Sequence, residues 1–230
     1  DKSPYFSQSL ETIASMIPNT KPGYINLTTY PEVLALWCSM GSGKTVYSRK
    51  WISERHQQGK KTLVVVPRVA LAKAVASDLT KELEGLSVKH YKESDAYLGD
   101  VIVTTIHSAL KFLDFQIGSV VIDEVIQVRK DLASKPMIRT VARLNESTCD
   151  NKSMVEIWNQ LLSTPNLLLC DAYMGQGEFL NELQTLRPEV VLHRHLTAPK
   201  QRVRVAEDAK TWWSWIWDRV VVGGEKALLC

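Results

Sequence analysis

The feature that most constrains the fold of this chain is the run Gly41-Ser42-Gly43-Lys44-Thr45, which closely follows the apolar stretch 33–37. A buried strand, a Gly/Ser turn and a helix beginning at Lys-Thr form a loop whose backbone N–H groups can surround a phosphate. The lysine ammonium then reaches the β- and γ-phosphates, and the threonine hydroxyl ligates Mg²⁺. We therefore predict nucleotide contacts along the whole run Met40, Gly41, Ser42, Gly43, Lys44, Thr45 and Val46.

A second apolar segment about eighty residues later ends in an acidic pair, Asp123 and Glu124. At the end of a buried strand the first carboxylate can hold Mg²⁺ together with Thr45, while the second orients or deprotonates the attacking water. The two motifs together predict a nucleoside triphosphatase that uses ATP and Mg²⁺. Its predicted catalytic residues are Lys44, Asp123 and Glu124.

The loop departs from the usual phosphate-binding pattern at its first position, where Cys38 stands in place of glycine. The leading glycine mainly relieves crowding where the loop leaves the strand, and the phosphate contacts come from later residues. The alternative is a flexible Gly/Ser turn before an unrelated helix. The downstream Asp-Glu strand argues against that alternative.

Composition excludes some function classes. With 230 residues, 45% of them hydrophobic, the chain can bury a full core. It contains no apolar stretch of membrane-spanning length and no secretory leader, so we expect no membrane partner and a location in the cytoplasm or nucleus of a host cell. The net charge of +3 permits a local basic face but does not by itself indicate a polyanion partner.

The cysteines and histidines do not predict a metal site. Four cysteines lack any paired C-x-x-C spacing, which favours reduced core thiols over zinc ligands or disulfides. His193 and His195 can share one side of a strand, but two imidazoles without a third ligand are more typical of a surface.

Apolar runs alternate with helical patterns along most of the chain. The predicted strands are 33–37, 62–66, 101–105, 119–122, 166–170, 190–195 and 201–205, and the predicted helices are 44–57, 70–83, 106–112, 137–143 and 154–162. Strands that are apolar on both faces and separated by helices predict a parallel sheet with helices on either side. The predicted fold is an α/β three-layer sandwich of the RecA-like P-loop type.

The sequence predicts three regions. Residues 1–23 form a lead-in segment with a short helix at 10–16, residues 24–205 form the ATP-binding domain, and residues 206–230 begin a second domain that is cut off. That last region carries four tryptophans in a predicted helix at 211–220 and a predicted strand at 227–230. The helical spacing of the tryptophans favours packing over base stacking.

Further segments are similar to the helicase motifs of superfamily 2. Residues 62–72 form a strand that ends in Pro67-Arg68, and residues 101–110 form a strand that ends in Thr104-Thr105 before His107. Their order resembles the motifs that lie along the phosphate backbone of a bound strand. Hydroxyls, backbone N–H groups and an arginine are suitable phosphate donors.

Asp171 and Ala172 follow where such proteins carry the segment that couples hydrolysis to strand movement. With Val125-Ile126 after the acidic pair, the chain resembles the DExx branch, above all herpesvirus-type origin-binding helicases and plasmid or phage replication helicases.

The resemblance implies the first motor domain of an ATP-dependent helicase or translocase in viral, phage or plasmid DNA replication. Its implied partners are single-stranded or duplex nucleic acid, DNA more than RNA, and replication proteins. The implied contacts to nucleic acid are Pro67, Arg68, Thr104, Thr105 and His107, with Asp171 and Ala172 as coupling residues. Two other classes stay open: a nucleotide-dependent switch without motor activity, and a small-molecule P-loop kinase, which the Pro-Arg and Thr-Thr loops do not support.

Overall fold

A computed structural model describes residues 25, 27–113, 115–134, 137–139, 141–142, 153–175 and 178–196. The strands are β1 (Val33–Cys38), β2 (Lys61–Val66), β3 (Val88–His90), β4 (Val101–Thr105), β5 (Ile117–Asp123), β6 (Asn166–Asp171) and β7 (Val191–His195). The helices are α1 (Lys44–Gln57), α2 (Val69–Glu82), α3 (Ile106–Ala109), α4 (Val125–Leu132), α5 (Met154–Leu162) and α6 (Phe179–Leu186), with 3₁₀ turns at Ala96–Leu98 and Leu110–Phe112.

The strands of the described residues form one parallel sheet in the order β3-β4-β2-β5-β6-β1-β7. In this order β6 lies between β1, which leads into the glycine-rich loop, and β5, which ends in Asp123. The register pairs Trp37 with Asp171, and Cys170 with Asp123. Because parallel strands end at the same edge, the loop after β1 and the ends of β5 and β6 meet there.

Helices cover both faces of the sheet. Alternate residues of each central strand face opposite ways, so Leu34 and Leu36 pack with α1 and α2, while Val33 and Ala35 pack with the helices of the other face. Strands buried on both faces explain the nearly continuous apolar runs of the sequence. The predicted three-layer α/β sandwich is confirmed.

The bounds of the central elements agree with the sequence to within two residues. The prediction missed β3, whose three residues include a lysine and a histidine, and it missed helices α4 and α6. The predicted helix at 106–112 is instead one short α-helix followed by a 3₁₀ turn. Of the helix predicted at 137–143, residues 137–139 and 141–142 are helical.

Several sequence predictions lie outside the described residues. They are the lead-in segment 1–23, the strand at 201–205, the tryptophan-rich helix at 211–220, the strand at 227–230 and both domain boundaries. These remain predictions.

Candidate nucleotide-binding site

The loop between β1 and α1 has the backbone of a phosphate-binding turn. Gly41 and Gly43 have φ angles of 74° and 88°, in the left-handed region where residues with side chains are strained. A Cβ added at Gly41 would meet no atom within 4 Å, so the requirement there is conformational rather than steric. Helix α1 begins at Lys44 with no side-chain cap and no acidic residue in its first turn, so its first N–H groups are available to an anion.

Lys44 and Ser42 organise the interior of this loop. The Lys44 ammonium donates to the carbonyl oxygens of Cys38 at 2.7 Å and Ser39 at 2.9 Å, which draws the loop around the lysine. Ser42 is 3% exposed, and its Oγ has no hydrogen-bond partner of normal geometry, although the Cys38 thiol lies close enough to interact with it. A buried hydroxyl that lacks a good partner fits a loop built to receive phosphate oxygens.

Cys38 explains how the loop manages without a leading glycine. It is the last residue of β1 and fully buried, and its thiol donates weakly to the His193 carbonyl of β7 at 3.8 Å. Burial raises the pKa of the Cys38 thiol to about 11, so it stays protonated and behaves as a core residue. Cys170 is likewise a buried free thiol whose pKa is raised by burial.

The acidic pair occupies the junction between β5 and α4. Asp123 ends β5, and Glu124 has φ 52° and ψ 52°, the one positive φ of a non-glycine residue in the described part of the chain. The Glu124 N–H donates to Asp123 Oδ1 at 3.1 Å. Such left-handed conformations cost free energy and cluster at functional sites. Here the turn leaves Glu124 exposed while Asp123 stays half-buried.

Burial is the main cause that raises the pKa of Asp123, and the neighbouring Glu124 carboxylate raises it further. The Lys44 ammonium and the Glu124 N–H oppose this effect without cancelling it. A desolvated carboxylate with so little compensation is well suited to a divalent cation, which supplies the missing positive charge.

Asp171 connects these two motifs. It is 5% exposed at the end of β6, and its two carboxylate oxygens accept hydrogen bonds from Ile126 N at 2.9 Å and Tyr173 N at 2.6 Å. The first of these bonds caps α4, the helix that begins directly after Glu124. The Trp37 indole donates to the Ala172 carbonyl at 3.2 Å, which fixes the next residue against β1.

These residues surround one cavity of about 400 Å³ at the carboxyl edge of the sheet. The lining comes from all three motifs and from α4: Met40, Gly41, Lys44, Thr45, Asp123, Glu124, Ile126, Gln127, Lys130, Asp171, Ala172 and Tyr173. Val46 does not line it and is 47% exposed. Sequence reasoning missed Gln127 and Lys130 because it did not recognise α4. The spacing of Ile126, Gln127 and Lys130, on one face of a helix, was the signal that could have found them.

The residues predicted to contact nucleic acid lie at the ends of the neighbouring strands β2 and β4, on the same edge of the sheet. Arg68 is exposed at the start of α2, and His107 is half-buried with Nε2 at 3.4 Å from Ser134 Oγ. Pro67 is buried, and Thr104 and Thr105 are 0% and 3% exposed, with the Thr104 hydroxyl donating to the Thr105 carbonyl. Of this set, Arg68 and His107 offer side chains at the surface, and the contacts themselves remain predictions.

A sequence profile of the family described as "Type III restriction enzyme, res subunit" (ResIII) matches residues 7–149, more than half of the chain. The chain belongs to this family. ResIII domains are helicase-type motor domains of superfamily 2 that hydrolyse ATP, so the predicted enzyme class and the cofactors ATP and Mg²⁺ are confirmed. A search of curated protein sequences finds no significant match.

Three solved structures illustrate the likeness of this ResIII chain to known proteins. The Sulfolobus solfataricus SWI2/SNF2 ATPase core in complex with dsDNA has 14% identity and a TM-score of 0.47, over 70% of this chain and 40% of that one. A hypothetical ATP-dependent RNA helicase from Sulfolobus tokodaii has 18% identity and a TM-score of 0.46, over 72% and 48%. The UvsW helicase from bacteriophage T4 has 13% identity and a TM-score of 0.47, over 84% and 68%. The chain therefore spans less than half the length of the two archaeal proteins.

The residues present fit both cofactors of the ResIII family. Gly41 to Thr45 would hold the phosphates of ATP, and Thr45 and Asp123, which line the same cavity, would hold Mg²⁺. Mg²⁺ bound there supplies positive charge to the phosphate oxygens. Glu124, exposed in the wall of the same cavity, would orient the attacking water.

Proposed function

We propose that this chain is the first motor domain of an ATP-dependent helicase or translocase. The observation that carries the proposal is the meeting of Lys44, the Asp123-Glu124 pair and Asp171 around one cavity. Asp171 matters most, because it joins the strand next to the nucleotide loop to the helix that follows Glu124. Loss of the γ-phosphate can therefore be transmitted through Asp171 to β6 and α4.

The same edge of the sheet supplies a surface for nucleic acid. Arg68 follows β2, which adjoins β5, and His107 follows β4 on the other side of β2, so a strand that contacts both residues approaches the nucleotide cavity from the β2 side. Arginine and backbone N–H groups are common donors to phosphate oxygens. Nucleic acid bound there and ATP bound at Lys44 therefore share one rigid sheet.

Full activity in this proposal requires a second motor domain. Charge that develops on the γ-phosphoryl in the transition state is neutralised in motors of this type by an arginine supplied across the cleft. The described residues around the cavity contribute lysines but no arginine. We expect the 230-residue chain alone to bind nucleotide and to hydrolyse it slowly.

The finer assignment is DNA in preference to RNA, in the replication of a virus, phage or plasmid, with an intracellular location. It is supported by the Val125-Ile126 and Asp171-Ala172 variants of the motifs. The name of the family, which refers to a restriction enzyme subunit, also favours DNA. None of the described helices has the length and apolar character needed to span a bilayer.

The test measures ATP turnover of this chain joined to a second motor domain, with single-stranded DNA, duplex DNA or single-stranded RNA added in turn. The proposal expects stimulation by nucleic acid, with DNA more effective than RNA. Stimulation by RNA alone would overturn the DNA assignment. Turnover that ignores all three would instead favour the nucleotide-dependent switch.

A further inference from the structure

Lys130 is a second basic residue in the nucleotide cavity. Helix α4 places Ile126, Gln127 and Lys130 on one face, and all three line the cavity, while Val125, Val128 and Leu132 are buried in the core. Among the residues that line the cavity, the basic ones are Lys44 and Lys130. The Lys130 side chain makes no hydrogen bond or ion pair with the described part of the chain. The neighbouring polar side chains of α4 already have partners: Gln127 donates to Asp131 at 2.9 Å, and Arg129 forms an ion pair with Glu182 at 2.6 Å.

The position of Lys130 indicates which part of the nucleotide it contacts. The glycine-rich loop and Lys44 approach the phosphates from the β1 side, and Glu124 stands where the attacking water must lie, beyond the γ-phosphorus. Lys130 lines the same cavity from α4, the helix that begins directly after Glu124, so it approaches the nucleotide from the Glu124 side, which is the side of the γ-phosphate.

The negative charge of the occupied cavity also favours a second cation, the Lys130 ammonium, in its wall. The cavity is lined by the carboxylates of Asp123, Glu124 and Asp171, of which Asp171 is already bonded to two backbone N–H groups. Mg²⁺ bound at Asp123 and ATP together still bring net negative charge. The Lys130 ammonium, which is exposed at the edge of the cavity, can offset that charge because a lysine side chain is flexible and needs no fixed geometry.

We propose that Lys130 is a phosphate-binding residue of this site and contacts the γ-phosphoryl group of ATP. The inference rests on the proposed ATP site and adds a residue to it. It makes α4 a sensor of the third phosphate, because the same helix is capped by Asp171 at its first turn. A contact made with ATP and lost with ADP changes the force on the last turn of α4, while Asp171 holds its first turn.

An alternative explanation for Lys130 is a favourable interaction with the C-terminal dipole of α4, since it lies in the last turn. Lys81 provides a matched control. It is exposed in the last turn of α2, and α2 runs away from the carboxyl edge of the sheet, so its last turn is remote from the cavity. Lys130→Gln and Lys81→Gln each remove one positive charge from the last turn of a helix.

The experiment measures dissociation constants of the Mg²⁺ complexes of AMP-PNP and ADP for the wild-type chain, Lys130→Gln, Lys130→Arg and Lys81→Gln. Lys130→Gln should weaken AMP-PNP binding about tenfold or more, the size of one charge-assisted hydrogen bond, and change ADP binding less than about twofold. Lys130→Arg should retain most of the affinity, and Lys81→Gln should equal the wild type. Thermal midpoints of the four proteins show whether each variant is folded.

Each other outcome overturns the proposal. Equal binding of AMP-PNP by the wild type and Lys130→Gln removes Lys130 from the site, while the ATP site itself stands. Equal losses for AMP-PNP and ADP, or a similar loss in Lys81→Gln, indicate a disturbed helix instead of a lost γ-phosphate contact. A wild-type chain that binds neither nucleotide rejects the ATP site as well.

Discussion

At the scale of single residues, the site is built from groups held in conformations that stability alone would not favour. Glu124 has a left-handed backbone, Asp123 is a desolvated carboxylate, and Ser42 Oγ lacks a good hydrogen-bond partner. Each of these costs folding free energy in the absence of ligand. The three features lie within one site because nucleotide and Mg²⁺ compensate for them when bound.

Asp123→Asn should therefore stabilise the nucleotide-free chain while removing Mg²⁺ binding. The pKa of Asp123 is raised in the folded state, so its contribution to stability is fully present below the ordinary value of 3.8 and is lost as the pH rises through the raised value. Asparagine does not ionise and escapes that loss. Thermal unfolding without Mg²⁺ should give a midpoint a few degrees higher for the variant at neutral pH, with the difference shrinking towards acid.

The control for this prediction is the same measurement with Mg²⁺ and a nucleotide. Ligand that binds the folded state raises the midpoint of the wild type, and this increase should be smaller in Asp123→Asn. A variant that is less stable than the wild type at neutral pH without Mg²⁺ would show that the Asp123 carboxylate is better compensated than its surroundings indicate.

At the scale of elements, α1 holds the segment before β1 against the nucleotide loop. Tyr47, Trp51 and Arg55 recur at every fourth position, and each donates to a carbonyl of residues 29–31: Tyr47 Oη to Thr29 at 2.8 Å, Trp51 Nε1 to Pro31 at 2.9 Å, and Arg55 to Tyr30 and Pro31. The Ile25 N–H then donates to the Ser42 carbonyl at 2.9 Å, so this segment touches the loop itself.

Trp51 is fully buried, and its replacement tests this connection. Trp51→Ala should lower the free energy of unfolding by about 3–5 kcal/mol through the lost apolar contacts and the cavity left behind. Trp51→Phe keeps most of the volume and should cost about 1–3 kcal/mol, through the smaller ring and the lost Trp51 hydrogen bond, because Arg55 still donates to the Pro31 carbonyl. Denaturant unfolding followed by circular dichroism measures both, and equal costs in the two variants would contradict the packing explanation.

Asp171 is the second connection between elements. Asp171→Asn keeps the size of the side chain but leaves only one carbonyl oxygen to accept the two N–H donors at Ile126 and Tyr173. We expect nucleotide affinity within about twofold of the wild type, because Lys44 and the loop are untouched, and a loss of nucleic-acid-stimulated turnover of about tenfold or more. Unchanged stimulation would show that Asp171 only stabilises α4.

Much of this arrangement was predictable from sequence, and the reasons for the rest are physical. The central strands are buried on both faces, so each stands out as an apolar run, and parallel strands necessarily bring Lys44 and Asp123 to one edge. Helix α4 was missed because it is only eight residues long. Its start also depends on the left-handed turn at Glu124 and on the bond from Ile126 N to Asp171, which lies forty-five residues further along the chain. Contacts of that kind leave no local pattern. The burial of Thr104 and Thr105 was missed because strand-end hydroxyls can face either way.

At the scale of the whole molecule, the proposed nucleic-acid surface and the nucleotide cavity lie at one edge of the same sheet, so we expect binding at one to influence the other. Arg68→Ala in a protein with both motor domains should reduce the stimulation of turnover by nucleic acid about threefold to tenfold and leave basal turnover intact. One lost phosphate contact accounts for an effect of this size. Arg68→Lys, which keeps the charge, should recover part of it. Thr105 is less useful for this purpose because its burial makes any substitution a change to the core.

Salt provides an independent check on the same surface. Phosphate contacts release counterions on binding, so the concentration of nucleic acid that half-stimulates turnover should rise steeply with salt. A plot of the logarithm of this concentration against the logarithm of the salt concentration should have a slope smaller by about one in Arg68→Ala, since one phosphate contact is lost. A slope that is identical in the wild type and the variant would place the phosphate contacts elsewhere.

The central claim is that the loop at Lys44 and the pair at Asp123-Glu124 form one ATP-hydrolysing site. The most direct test compares MgATP binding and single-turnover hydrolysis in the wild type, Lys44→Ala and Glu124→Gln, in a protein with both motor domains. Lys44→Ala should lose binding, while Glu124→Gln should bind ATP as the wild type does and hydrolyse it slower by a factor on the order of a hundred. Wild-type binding in Lys44→Ala, or wild-type hydrolysis in Glu124→Gln, would contradict the account.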